Sequence, residues 1–452
     1  MRTFTELKVA THRHWALAWP LIIANSATPL LGLADAAIAG HLAAPFYLAA
    51  VTVGAELFAI LFGTFLFLRM GTTGLVAQSE GRGDTQGGLQ LLMHALLIAT
   101  AIGLALVVFG HWLLEPIVQI IRPASEIDAA LAEYLEIRLL SAPAALCIFA
   151  VTGWLVGRGR TKISLYLALG INVVNIALNY GLAIGLEMNS AGIAWGTVIS
   201  EYLGLIYGFA WLYILAGHQD LWASFRFRTA QLWALVRVNG PLMLRTIALH
   251  AVFAGLSIAA ARIGAIEASA VGIFLVLLAT AAYALDGFAY ASEIEAGQAI
   301  GQRNYARFRD SLWAGALLTL ITAACITLVI ALFGSTIVSA LTAHDAVITE
   351  ATRRLDAFTL ILLALCLSYW LDGVFIGLTR TMDMCLTMWL AALIGWFGML
   401  AWYQNPTLDE LFVAFLVFAV LRTGLLGARL PVAMRHVNVH FSDHHPRASA
   451  PV

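Results

Sequence analysis

Asp35 stands alone among apolar and small residues in "PLLGLADAAIAGHL", residues 29–42. A carboxyl group set in hydrocarbon favours its neutral form and regains charge when water or a hydrogen-bond donor reaches it. One acid in such a run is suited to reversible proton binding, or to holding a cation. Asn175 and Asn179 are four residues apart, so their amides share one helix face and could reach such an acid. They could equally serve as ordinary interhelical glue. Four further acids lie in apolar surroundings: Glu56, Glu201, Asp286 and Asp372. The first two are candidates to line a cavity, with Glu56 also able to pair with Arg69 or Arg138. Asp286 and Asp372, each followed by Gly, could form a second proton or cation site or pair with Tyr or Arg in packing.

The elements that position these groups must be membrane helices. The 452 residues are 61% hydrophobic and only 11% charged, where a soluble domain carries about 25% charged residues. About 20 apolar residues are needed to cross a hydrocarbon core of roughly 30 Å. Twelve spans are expected, near 15–40, 47–76, 88–110, 134–157, 163–185, 191–215, 239–262, 269–297, 311–333, 355–378, 384–403 and 410–428. The alternating pattern of a membrane barrel is missing, and backbone in lipid must satisfy its own hydrogen bonds, so the spans are helical. The fold class is an all-α polytopic membrane bundle. In this setting an acid costs about 2.5–3.5 kcal/mol on insertion scales, and such acids generally face the protein interior.

Basic residues are retained on the cytoplasmic side. With a cytoplasmic N-terminus, that side receives 17 of the 25 Lys and Arg and the other side four, with Arg69, Arg138, Arg245 and Arg422 within or near spans. Both termini are expected in the cytoplasm and the protein in the inner membrane, as a monomer. A net charge of −1 argues against a nucleic-acid partner, which would need a basic patch. Cys147, Cys325, Cys366 and Cys385 have no metal-ligand spacing and are expected as free buried thiols. The first apolar segment is too long for a signal-peptide core. His436, His440, His444 and His445 belong to a segment expected as a solvated tail, and no metal site is assigned to them.

The chain repeats itself. "GWLVGRGRTK" (153–162) matches "GVFIGLTRTM" (373–382), so Gly153, Gly157, Arg160 and Thr161 recur as Gly373, Gly377, Arg380 and Thr381. The same offset of 220 residues pairs Gln78 and Gly81 with Gln298 and Gly301, and Glu136 with Asp356. Six helices separate the copies, an even number, so both have one orientation, as in transporters whose parallel halves rock around a site. The expected organisation is an N-terminus (1–14), a first six-helix lobe (15–215), a cytoplasmic linker (216–236), a second lobe (237–428) and a tail (429–452). The glycine pairs read as close helix approaches.

The ordered set "WPLIIAN", "LLGLADAAIAGHL", "FLRMGTTGLVAQSEGRGD", "YLEIRLLSAPA", "NVVNIALNYGL", "ALDGFAYASEIEAGQAIGQRN" and "LDGVFIGLTRTMDM" resembles the multidrug and toxic compound extrusion (MATE) family, in its DinF-like branch. The resemblance runs from about residue 15 to 430. It implies two six-helix lobes in a V, and export of organic, often cationic, small molecules against inward H⁺ or Na⁺ flow. It also implies a bent first helix, with Pro20 as hinge fifteen residues before Asp35. Relatives commonly carry Asp where this chain has Asn179, and Na⁺-coupled relatives typically add a Glu in the seventh helix, where none stands here. A proton is therefore the expected coupling ion, with Na⁺ the alternative, and no cofactor is implied.

Other classes fit less well. A major-facilitator drug/H⁺ antiporter also has parallel six-helix repeats, but "AQSEGRGDTQGG" meets its loop motif poorly. A lipid-precursor flippase would want a strongly basic cavity, and four span arginines supply little. A membrane enzyme finds no HExxH, GxSxG or cofactor loop.

Overall fold

The computed structural model describes residues 4–121, 124–216, 226–403 and 405–442. Its elements are helices: α1 Phe4–Ala39, α2 Pro45–Thr64, α3 Phe67–Gly81, α4 Thr85–Ile121, α5 Ser125–Leu139, α6 Ala142–Gly157, α7 Thr161–Tyr180, α8 Asn189–Leu215, α9 Thr229–Ile263, α10 Ala265–Gly301, α11 Tyr305–Leu341, α12 Asp345–Thr352, α13 Leu355–Gly377, α14 Thr381–Ala391, α15 Met399–Trp402 and α16 Leu408–Ser442. Eleven are, alone or joined, long and apolar enough to cross a membrane, and the bent pair α5 and α6 makes up to twelve. Several run to 37 residues, about 55 Å at 1.5 Å per residue. Hydropathy marks only the stretch that lipid can solvate, which explains why the expected spans were shorter.

The 220-residue offset governs the backbone in detail. It carries Pro45–Gly81, the range of α2 and α3, onto α10, and α4 onto α11, with both ends matching; it also carries the starts of α5 and α7 onto those of α12 and α14. The turns agree as well. Gly83 and Gly159 are left-handed at φ 72° and 70°, and the equivalent Arg303 and Thr379 are left-handed at 53° and 55°. Glycine adopts that conformation freely, whereas a β-branched residue there is strained. At Thr379 the strain is met by Gln78, whose Nε2 donates to the Gly377 carbonyl at 2.9 Å and to Thr379 Oγ1 at 3.3 Å. The paired glycines are close approaches: a Cβ on Gly153 would lie 2.6 Å from the Arg69 carbonyl oxygen, and one on Gly373 would collide with the carbonyl of Ala289, the residue equivalent to Arg69.

Four sequence expectations are refined or corrected. The span 134–157 is two helices bent by 48°, because Pro143 lacks the N–H that would continue α5 into α6; Leu140 and Ser141 make tighter bonds to Ile137 and Arg138 instead. The linker 216–236 gives way to α9 at Thr229. Of the rest of it, 217–225 lie outside the described residues, and the backbone N–H groups of Arg226 and Arg228 donate to Gln90 Oε1 and His94 Nε2 on α4. The tail 429–452 is helical as far as Ser442, since α16 continues through Pro431, and residues 443–452 lie outside the described ones. Cys147, Cys366 and Cys385 are buried free thiols, but Cys325 is exposed on α11, as lipid solvates a thiol without protein cover.

Contacts divide the chain into two compact units: Met1–Ile22, Ala77–Gly83 and Val238–Val452 form one, and Ile23–Val76 and Asp84–Arg237 the other. They are called here the C-terminal and N-terminal units. The division cuts α1 two residues beyond Pro20, where the helix runs on unbroken. The C-terminal unit is cored by Phe274, whose ring meets Phe358, Phe412 and Phe415 at 5.0–5.6 Å. In the N-terminal unit α4 packs on α6 and α7 on α8, with Gly103 lying against the backbone of Pro143.

Candidate functional site

Within the N-terminal unit, α1, α7 and α8 bring Asp35, Asn175 and Asn179 into one hydrogen-bonded chain. Asn179 Nδ2 donates to Asp35 Oδ1 at 2.7 Å and to Asn175 Oδ1 at 2.9 Å. Asn175 Nδ2 donates onward to Thr197 Oγ1 at 2.9 Å and Ser200 Oγ at 3.3 Å. The two hydroxyls then donate to backbone carbonyls of their own helix, Thr197 to Ile193 and Ser200 to Thr197. Both amides are buried and Asp35 is half-buried. Each donor is thereby committed, and the chain ends on the Asp35 carboxylate as its acceptor.

Asp35 is thus held by one neutral amide, and no Lys, Arg or His forms an ion pair with it among the described residues. Arg138 of α5 acts on it electrostatically. Asn179 Oδ1 is buried without a hydrogen-bond partner and rests on Gly196, where a Cβ would collide with it. Thr197, Ser200 and Gly196 were missed in the sequence reading, although "WGTVISEY" places the first two at helical spacing in an apolar segment. Gly196→Ala should cost about 1–3 kcal/mol by overpacking and push Asn179 off Asp35. A lowered melting temperature of the detergent-solubilised protein is the measurement that checks it.

The other candidates sort differently. Glu201 follows Ser200 on α8 and pairs with Arg138 of α5, Nη1 to Oε1 at 3.4 Å. Arg138 also donates to Ser141 Oγ at 2.8 Å and lies 5.0 Å over the Phe58 ring. Of the alternatives open to Glu56, the pair with Arg138 is therefore not formed, and Glu56 is exposed on α2. In the C-terminal unit, Asp372 Oδ2 accepts from both Arg245 and Arg422, the latter at 2.8 Å. Arg422 sits 5.5 Å over the Tyr369 ring, and Asp286 is half-buried within electrostatic reach of Arg245 and Tyr369. Asp372 is therefore already neutralised by two fixed cations. Pro20 is buried in α1; lacking an N–H, it leaves the helix one hydrogen bond short there.

Duplicated halves in a helical membrane protein are a common transporter architecture. Residues 20–181 and 241–398 match the MatE family model, and the chain belongs to that family of multidrug efflux transporters. It is 35% identical over 423 residues to DNA damage-inducible protein F of Escherichia coli (strain K12), covering 92% of this chain and 90% of that protein. Over 185 residues it is 35% identical to the multidrug resistance protein PmpM of Pseudomonas aeruginosa, covering 40% of this chain and 39% of that one. The fold is shared with a Vibrio cholerae MATE transporter, VcmN, in its bent form, with TM-score 0.86 at 18% identity over 97% of this chain and all of that one. A second MATE structure in a bent conformation gives TM-score 0.88 at 16% identity, covering 98% and 100%.

Proposed function

We propose that this protein is a proton-coupled antiporter that exports small organic compounds, often cationic, by alternating access. The observation that carries the reading is the Asp35 carboxylate in an apolar helix, bonded to the Asn179 amide hydrogen and in no ion pair among the described residues, with Arg138, the cation that acts on it electrostatically, paired to Glu201. An acid so placed binds a proton from one side of the membrane, loses it to the other, and is the group whose charge can alternate with that of a substrate. Protons are favoured over sodium for two reasons. A hard cation is held by several oxygens, whereas an N–H faces Asp35; and the second acid, Asp372, is already occupied by Arg245 and Arg422. The drug-resistance name of the Pseudomonas relative supports the substrate class. The excess of Lys and Arg on one set of loops supports an inner-membrane location with both termini in the cytoplasm.

Proteoliposomes loaded with a fluorescent organic cation, and given either a pH gradient or a sodium gradient, test the reading directly. Efflux is expected with the pH gradient and little above leak with sodium alone. Sodium-driven efflux at neutral, symmetric pH would overturn it.

A further inference from the structure

On the N-terminal half of α1, within the C-terminal unit, lies a second titratable cluster. His14 is fully buried, with Nδ1 2.7 Å from Glu295 Oε2 and Nε2 3.3 Å from the Phe288 carbonyl oxygen. Glu295, also fully buried, accepts from Arg13 through its other oxygen. We propose that the His14–Glu295 pair is a second proton-binding site, whose proton clamps the N-terminal half of α1 onto α10.

The contacts place a hydrogen between His14 Nδ1 and Glu295 Oε2. A carbonyl oxygen only accepts, so the Nε2 contact with Phe288 takes a second ring hydrogen, whereas in a neutral ring Nε2 accepts from Ser292 Oγ instead. A ring with no hydrogen at Nδ1 would set a lone pair against an ionised Glu295 in a buried site, which is costly. Loss of that proton to water therefore loosens the contact. Its surroundings are charged: Arg13 from α1 and Arg307 from α11 act on Glu295. Arg307 is held by Gln298 and Gln302 at 3.0 and 2.6 Å. Ser292 Oγ is 3.5 Å from the His14 ring, and α13 brings the neutral Trp370 indole beside Ser292 at Gly315. The Arg13 side chain is 37% exposed. His14 and Asp35 are 21 residues apart in the sequence of α1.

The site does not depend on the Asp35 reading, and the test uses full-length Asp35→Asn protein in liposomes to keep them apart. Nitrogen-15 histidine solid-state NMR, with His14 assigned by the signal lost in His14→Gln, should show a ring hydrogen-bonded through protons at both nitrogens at about pH 6. Glu295→Gln should abolish the shared-proton signal. At fixed pH it should also speed amide exchange over residues 6–20 about tenfold, as expected for one lost clamp of this kind. A bare, unprotonated Nδ1 at about pH 6, or a signal and exchange rate indifferent to Glu295→Gln, would overturn the proposal. Should Glu295→Gln fail to insert, the protonation of Nδ1 in the parent protein still decides.

Discussion

Asp35→Asn is expected to abolish proton-driven efflux while leaving insertion and folding intact. The amide has the shape of the protonated acid and removes a charge costing about 2.5–3.5 kcal/mol in mid-membrane. Asn179 Nδ2 can still donate to the remaining carbonyl oxygen, so the chain through Asn175 to Thr197 and Ser200 stays closed. Substrate binding survives, but the cycle has no proton to exchange, and transport should fall to the leak rate. Asn179→Asp provides the contrasting case. It places a second carboxyl beside Asp35, and two like charges at that distance share protons as a pair, so efflux should persist with an altered pH profile. Efflux assays across a pH series, with size-exclusion profiles to verify folding, separate the two variants.

Asp372→Asn should have the largest effect on stability. Arg245 and Arg422 are 4% and 3% exposed, and both donate to the same carboxylate oxygen. Removing that charge leaves two buried guanidinium groups facing each other, a loss of about 3–5 kcal/mol. Low yield and a lowered melting temperature are the expected readouts. Adding Arg422→Met to Asp372→Asn removes one uncompensated cation and should recover part of the loss. Equal stability of wild type and Asp372→Asn would mean that Asp286 alone balances both arginines.

Much of this was legible in the sequence. The apolar runs located the helices, and the recurrence of Gly, Arg and Thr at one offset revealed the duplication before any backbone was seen, because a repeated turn needs repeated residues. Asp35 with Asn175 and Asn179 was legible because a lone acid in hydrocarbon calls for a partner, and two amides one turn apart supply it. Contacts between distant helices were not. Nothing local in "RLLSAPA" shows that Arg138 selects Glu201 over Glu56, since the choice depends on how α5 rotates against α8. His14 lies 281 residues from Glu295 and reads in sequence as one more histidine near the N-terminus. Gly196 was equally silent, because its role is to leave room for Asn179 Oδ1, which only the packing of α7 on α8 creates.

The most direct measurement is proton release on substrate binding. A fluorescent organic cation is added to detergent-solubilised protein in weakly buffered solution near neutral pH, and a pH dye reports the protons set free. With Asp35 as the exchanging group, wild type should release up to about one proton per bound substrate, and Asp35→Asn should bind with no release. Equal release from the two proteins would place the exchanged proton elsewhere and contradict the assignment of Asp35.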